Sequence, residues 1–173
     1  MQLKMIQDMK PLLERGISQH LSVNNLTAAM KGAAAGVFRI ADLGCASGIN
    51  TLLVADTIVR AVHKTCTRHS ILAEMPDFQV YFADLPSNDF NSLLRSLPPH
   101  DQADRAYNKE DEGNCGFASR PPVRPYFAAA VSGSFYKRLF PLKSLNFCHS
   151  STSLHWLSQV NALLTSDRRT PVW

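Results

Sequence analysis

The stretch that most constrains the fold reads Ile40-Ala-Asp-Leu-Gly-Cys-Ala-Ser-Gly-Ile-Asn50. An apolar run ends here in an acidic residue, and a turn with two glycines leads into a helical pattern. This order is typical of α/β proteins, which bind nucleoside ligands at the carboxyl ends of their strands. The spacing Gly44-x-x-x-Gly48 matches neither the dinucleotide fingerprint nor the phosphate-binding loop. The stretch predicts a ligand site. It argues against a ligand held through phosphate, and it does not favour any one other ligand.

Composition sets the scale of the molecule. The 173-residue chain is 45% hydrophobic and 18% charged, which is typical of about one globular domain. Its net charge is +4, but lysines and arginines are scattered without a block of five or more. We therefore expect a solvated surface and no nucleic-acid partner.

The sequence also bears on compartment and redox state. No run reaches the roughly 18 apolar residues of a membrane span, and the first residues carry charges where a signal peptide has an apolar core. We expect a soluble, cytoplasmic protein without a membrane partner. The cysteines are widely spaced and form no C-x-x-C pair, so we expect reduced thiols and no metal site: Cys45, Cys66, Cys115 and Cys148.

Strand and helix patterns alternate along the chain. Apolar and β-branched runs predict strands at residues 37–43, 78–84, 126–131 and 145–149. Helical periodicity predicts helices over residues 3–21, 50–63 and 89–97, a short helix within 133–140 and another beginning at 153. Pro11 either starts or kinks the first helix. This alternation predicts an α/β fold with a parallel sheet, helices on both faces and ligands at the strand ends.

The chain is expected to form one domain with four parts. Residues 1–36 hold the first helix and a connection, and residues 37–97 form a βαβα unit. Residues 98–125, rich in proline and charge, are expected to be a loop insertion, and residues 126–173 hold the last two strands. Polar clusters follow three of the strands, at residues 42–50, 84–88 and 150–156.

Four long segments together resemble one protein family, the plant carboxyl methyltransferases that also include xanthine-alkaloid N-methyltransferases, called the SABATH family. The resemblance runs from about Met5 to Trp173, with the motifs in the family's order. The motifs are Ala41-Asp-Leu-Gly-Cys-Ala-Ser-Gly-Ile-Asn-Thr51, Asp84-Leu-Pro-Ser-Asn-Asp-Phe-Asn91, Gly133-Ser-Phe-Tyr-Lys-Arg-Leu-Phe-Pro141 and His149-Ser-Ser-Thr-Ser-Leu-His-Trp-Leu-Ser-Gln159.

The resemblance implies a Rossmann-like class I methyltransferase fold that binds S-adenosylmethionine. It places Cys45 and Asn50 against the cofactor, Asp84 and Leu85 at its ribose and adenine side, and Ser134 with Phe135 over the adenine. Asp42 is a further cofactor-binding candidate. The chemistry agrees, because a carboxylate at the end of the second strand can accept hydrogen bonds from both ribose hydroxyls. Asp84 follows Gly44 by about 40 residues, not by the roughly 20 of the dinucleotide fingerprint.

Some of these residues also have purely structural interpretations. Asp42 either anchors the turn by accepting backbone N–H bonds or contacts the ligand directly. Asn50 by itself is typical of a helix cap. Cys45 is expected to act by packing and not as a reactive thiol.

The resemblance assigns the methyl acceptor to the segment after the fourth strand, through Thr152, His155 and Trp156. A carboxylic acid with a reference pKa of about 4 is already ionised near neutrality, so no catalytic base is expected and catalysis rests on positioning. Thr152 stands where many members carry Tyr or Phe, which leaves the acceptor's identity open. The motifs are most similar to the indole-3-acetate branch, and benzoate, salicylate and jasmonate remain alternatives.

Relative to the family pattern the chain lacks parts of both ends. It has no Ser-Tyr-Ala type segment before the first helix, and it stops before the Asn-Lys-Gly segment that carries a metal position, so Mg²⁺ in full-length relatives would have ligands outside this chain. The remaining strands and the helical cap are also absent. We expect an exposed fourth strand, weak stability and a tendency to associate, including as a homodimer.

Two alternatives to an active methyltransferase follow. The chain is either a non-catalytic dimerisation or binding module derived from such an enzyme, or an NAD(P)-dependent oxidoreductase of similar architecture. The second is disfavoured because the dinucleotide spacing is absent.

Overall fold

The computed structural model describes residues 2–21, 36–69, 75–100, 123–151 and 153. Its elements are α1 (Gln2–His20), β1 (Val37–Leu43), α2 (Ile49–His69), β2 (Asp77–Asp84), α3 (Phe90–Arg95), β3 (Phe127–Ser132) and β4 (Phe147–His149). The strands form one sheet in the order β3-β2-β1-β4, and every neighbouring pair is parallel. The predicted α/β fold with four parallel strands and flanking helices is confirmed.

The element bounds differ from the predictions mainly at α2, which continues six residues beyond the predicted helix 50–63, and at β4. The predicted strand 145–149 is reduced to three residues, because the Asn146 side chain takes over one pairing position. Asn146 Oδ1 accepts from the backbone N–H of Arg39 at 2.7 Å, and its own N–H donates to the Arg39 carbonyl at 2.9 Å. α1 runs through Pro11, so this proline does not start the helix.

The short helix predicted within residues 133–140 is wrong. This stretch consists of turns and bends, with the Lys137 N–H bonded to the Ser134 carbonyl at 2.9 Å. Further along, the Phe140 ring lies 5.5 Å from the ring of Tyr81 in β2. Phe140 therefore packs on the sheet from an irregular segment and not from a helix. The helix predicted from residue 153 lies largely outside the described residues.

One face of the sheet carries the hydrophobic core. Alternate residues of β1 and β2 are fully buried beneath α2, and α1 packs on α2 through Ile17. α2 reaches this face because its apolar residues recur at helical spacing. The largest fully buried core side chains include Phe38, Ile40, Ile58, Val59, Val62, Val80 and Phe82.

The opposite face is only partly covered within the described residues. Gln79 and Tyr81 are half-buried, and Phe127 is 37% exposed. The cover there comes from the irregular segment before β4, so a helix on this face, as the sequence predicted, is not found in the part of the chain that the structure describes. In that same part, no helix is long and apolar enough to cross a membrane.

Candidate functional site

The site forms where the glycine turn leaves β1. Gly44 has a φ of +77°, a left-handed conformation that favours glycine, and its N–H donates to the Ala83 carbonyl at 2.8 Å. A Cβ atom at this position would lie 2.4 Å from Cβ of Ser153. The turn therefore requires glycine for its backbone conformation and for the close approach of the residues that follow β4.

Asp84 ties this turn to the end of β2. Its Oδ2 accepts from the Ala46 N–H and its Oδ1 from the Leu85 N–H, both at 2.7 Å. Its backbone carbonyl accepts from the Gly133 N–H at 2.8 Å. The side chain is half-buried, and a carboxylate has lone pairs beyond those used by two N–H donors, so it can still accept from a ligand.

Asn88 is a site residue that the sequence did not single out. Its side-chain nitrogen donates to the Ala46 carbonyl at 3.1 Å and lies 4.0 Å from Cys45 Sγ. The sequence placed Asn88 only within the polar cluster at residues 84–88, next to Asp89, which caps α3 by accepting from the Ser92 N–H at 2.9 Å. No local signal distinguished the residue that caps the helix from the residue that holds the turn.

Two carboxylates lie near the Cys45 thiol in the turn. Burial raises the pKa of the Cys45 thiol, and the nearby carboxylates of Asp42 and Asp84 raise this pKa further. Both carboxylates therefore oppose a further negative charge at this position. A cationic ligand would be favoured beside the turn and a phosphate would be repelled.

Asp42 lies deeper, with partners that the sequence did not predict. Oδ1 lies 2.8 Å from Nδ1 of His149, and Oδ2 accepts a hydrogen bond from the Thr51 hydroxyl. His149 received no functional role from the sequence, since only the pairing of β4 with β1 sets it opposite Asp42. The contact between His149 and Asp42 could be predicted only from the order of the strands in the sheet.

The other predicted site residues lie around the same turn or outside the described residues. Phe135 approaches Gly44, with Cε1 3.6 Å from the point that a Cβ atom on that glycine would occupy. The Ser134 hydroxyl accepts from the Tyr136 N–H at 3.3 Å. Leu85 is 50% exposed next to Asp84, and Asn50 is half-buried in the first turn of α2. Thr152, His155 and Trp156 lie outside the described residues.

A cavity of about 370 Å³ lies on the sheet face opposite the core, between Leu43 and the segment from Phe135 to Cys148. Neither Asp84 nor Cys45 is among its lining residues. In the part of the chain that the structure describes, no group of three or more His, Cys, Asp or Glu side chains could hold a metal ion.

Comparisons with known proteins agree on one family. The profile of a family described as "SAM dependent carboxyl methyltransferase" matches residues 1–173. "Probable jasmonic acid carboxyl methyltransferase 1" of Theobroma cacao is 43% identical over 174 residues, which is 99% of this chain and 40% of that protein. "Indole-3-acetate O-methyltransferase 1" of Oryza sativa subsp. japonica is 47% identical over 124 residues, 72% of this chain and 30% of that protein.

A solved structure is similar as well. It is described as "Loganic acid methyltransferase with SAH", with a TM-score of 0.66 and 34% sequence identity over 96% of this chain and 39% of that one. The chain thus spans about 40% of the length of the relatives that it matches along its whole length. The family match covers every residue, and the resemblance seen in the sequence motifs is confirmed: the chain belongs to the family of S-adenosylmethionine-dependent carboxyl methyltransferases.

Proposed function

We propose that this chain forms the cofactor-binding part of a methyltransferase that methylates the carboxylate of a small plant acid with S-adenosylmethionine. The observation that carries the proposal is the Asp84 carboxylate at the carboxyl end of β2, which holds the glycine turn through the Ala46 N–H and keeps lone pairs for a ligand. S-adenosylmethionine is a phosphate-free cation with a ribose, so it matches both the charge and the hydrogen-bonding capacity of this site.

The residues around the turn fit the parts of the cofactor. Asp84 would accept from the ribose hydroxyls, and the exposed Leu85 and the ring of Phe135 would provide apolar contacts for the adenine, with Ser134 beside it. Cys45 and Asn50 would lie along the methionine part, Cys45 by packing, since its raised pKa keeps the thiol protonated near neutrality. Asn88 would hold the turn through Ala46.

The methyl acceptor would be held by residues that follow β4. When bound, the cofactor supplies a methyl group on a positively charged sulfur. His155 and Trp156 would hold the acceptor carboxylate through a ring nitrogen and the indole N–H, with Thr152 shaping the pocket. A carboxylate is ionised near neutrality, so the chain needs no base and contributes by orientation and exclusion of water.

The names of the relatives set the range of acceptors in this proposal. Jasmonic acid and indole-3-acetate are named in the two relatives described above, and benzoic and salicylic acid are named in a Petunia hybrida relative that is 46% identical over 121 residues. These acids share a carboxylate on an apolar body. A homodimer and a cytoplasmic location are further parts of the proposal that rest on the sequence.

Asp84→Asn tests the cofactor site. The amide keeps the size of the side chain but loses the charge and one acceptor, so the affinity for S-adenosylhomocysteine should fall at least about tenfold. Asp77→Asn is the matched control, because Asp77 is exposed at the other end of β2. Isothermal titration calorimetry would measure both variants and the wild type.

The same titrations separate the alternatives. Wild-type chain that is folded by circular dichroism but gives no heat with S-adenosylhomocysteine at high micromolar concentration would contradict the cofactor proposal and favour a binding module. Binding of NADH in place of S-adenosylhomocysteine would favour the oxidoreductase. Equal affinities of the Asp84→Asn and Asp77→Asn variants would remove Asp84 from the site.

A further inference from the structure

A buried polar cluster joins three elements beneath the glycine turn. It consists of Asp42 in β1, Thr51 in α2 and His149 in β4, and we call it the Asp42 cluster. Both Thr51 and His149 reach the Asp42 carboxylate, and all three side chains are more than nine-tenths buried. A carboxylate only accepts hydrogen bonds, so the Nδ1 nitrogen of His149 donates.

The cluster holds the turn at both of its ends. Asp42 lies two positions before Gly44, and Thr51 lies three positions after Gly48. A buried carboxylate that loses a donor is left with an unsatisfied charge, which is costly in a poorly solvated interior. The hydrogen bond between Asp42 and Thr51 therefore holds the two ends of the turn close together, and it can be rearranged only at a cost in free energy.

A second set of contacts binds the residues after β4 to the same place. The hydroxyls of Ser150 and Ser153 donate to the Leu43 carbonyl at 3.1 and 3.0 Å, and they lie 2.8 Å from each other. Leu43 immediately precedes Gly44, against which Ser153 also packs. The end of β4 and the start of the glycine turn thus share one hydrogen-bonded junction.

We propose that the Asp42 cluster positions the glycine turn against the methionine end of the cofactor, and that His149 makes this position depend on β4. Asp42, Thr51 and His149 act through the turn and are positioning residues. The turn and the segment that follows β4 are then set relative to each other before any ligand binds. The inference rests on the proposed function.

Thr51→Val tests the cluster with little change of shape, because valine replaces only the hydroxyl. Two ligands are compared: S-adenosylhomocysteine, and 5′-methylthioadenosine, which lacks the amino-acid part. The variant should bind S-adenosylhomocysteine about tenfold more weakly, while its affinity for 5′-methylthioadenosine stays within about twofold. A general loss of stability would reduce the affinities for both ligands equally, and that result would overturn the proposal.

Thr65→Val is the matched control. Thr65 is also buried in α2, but its hydroxyl donates to the Ala61 carbonyl at 2.8 Å, away from the turn. The ratio of its affinity for S-adenosylhomocysteine to its affinity for 5′-methylthioadenosine should equal that of the wild type. An equal change of this ratio in the two threonine variants would overturn the assignment.

Two variants test the dependence on β4. His149→Asn keeps an N–H donor near the Nδ1 position and should retain the wild-type ratio of affinities. His149→Leu removes the donor and should reduce the ratio about tenfold. A wild-type ratio in the folded leucine variant would overturn the role of His149.

Hydrogen exchange separates this inference from the proposed function. The amides of Gly44, Cys45 and Ala46 bond to Ala83 and Asp84, and they should exchange about tenfold faster in Thr51→Val, with Ile40 and Val80 unchanged. Unchanged exchange at the turn would overturn the positioning role. A wild-type chain that binds neither ligand, with faster exchange in the variant, would contradict the proposed function and keep the cluster as the element that orders the turn.

Discussion

At the scale of single residues, the site depends on two left-handed backbone positions in one turn. Gly44 has a φ of +77° and Ala46 a φ of +55°. Glycine adopts this conformation without cost, whereas alanine does so only where the surroundings hold it. At Ala46 those surroundings are the Asp84 carboxylate on its N–H and the Asn88 side chain on its carbonyl.

Gly44→Ala should therefore destabilise the fold. The left-handed conformation alone costs an L residue about 1–2 kcal/mol, and the contact with Ser153 adds to this cost. Gly16→Ala is the control with the opposite sign. Gly16 lies inside α1, and among the described residues no atom beyond its own stretch of helix comes within 4 Å of an added Cβ, so stability should rise by about 0.5–1 kcal/mol. Urea unfolding would measure both, and a neutral Gly44→Ala would contradict the close packing of the turn.

At the scale of elements, α2 carries a carboxylate that is poorly accommodated. Asp56 pairs with Arg60 one helical turn later at 2.7 Å, but its Oδ1 is buried and has no hydrogen-bond partner among the described residues. Burial raises the pKa of Asp56 above its ordinary value of 3.8, and the charge of Arg60 opposes this shift only in part. α2 thus packs against its neighbours at some electrostatic cost.

The raised pKa of Asp56 predicts that the stability of the fold depends on pH. Above 3.8 the unfolded chain releases the Asp56 proton while the folded chain still holds it, so this group's contribution to stability is lost as pH rises through the folded pKa. The stability of wild type relative to Asp56→Asn should fall as the pH rises above 3.8, measured by urea unfolding. Asp8→Asn, at an exposed position of α1, should track the wild type. A constant difference between wild type and Asp56→Asn would refute the raised pKa.

At the scale of the whole molecule, β4 is an edge strand of the described sheet. β4 is three residues long and, among the described residues, pairs only with β1, and Cys148 at its centre is exposed. Leu142, 56% exposed, adds apolar surface in the segment before β4. Unpaired N–H and C=O groups beside apolar side chains are a template for association between chains.

The chain should therefore self-associate in a concentration-dependent way. Cys148→Lys places a charge on this edge and should shift the equilibrium toward the monomer, since lysine on an edge strand opposes pairing. Sedimentation velocity under reducing conditions would measure both forms and exclude disulfide-linked dimers. Identical oligomer distributions would show that association, if present, uses another surface.

Much of the fold was predictable because its signals are local. The apolar run of β1, the glycine turn and the stripe of α2 each express a preference of neighbouring residues, and Asp89 caps α3 as its type suggests. The irregular conformation of residues 133–140 was not predictable from local patterns, because the segment packs on the sheet through a contact between Phe140 and Tyr81, which are distant in the sequence.

The sequence by itself determined the alternation of strands and helices, the turn at Gly44 and the acidic residue that ends β2, since these depend on local patterns and turn chemistry. The tertiary structure alone decided which side chains meet across long separations. The order β3-β2-β1-β4 brings His149 to Asp42 across 107 residues, and the closeness of β1 and β2 brings Asn88 to Ala46 across 42. The physical reason is that such pairs follow from burial and strand order, which belong to the whole chain and leave no local pattern.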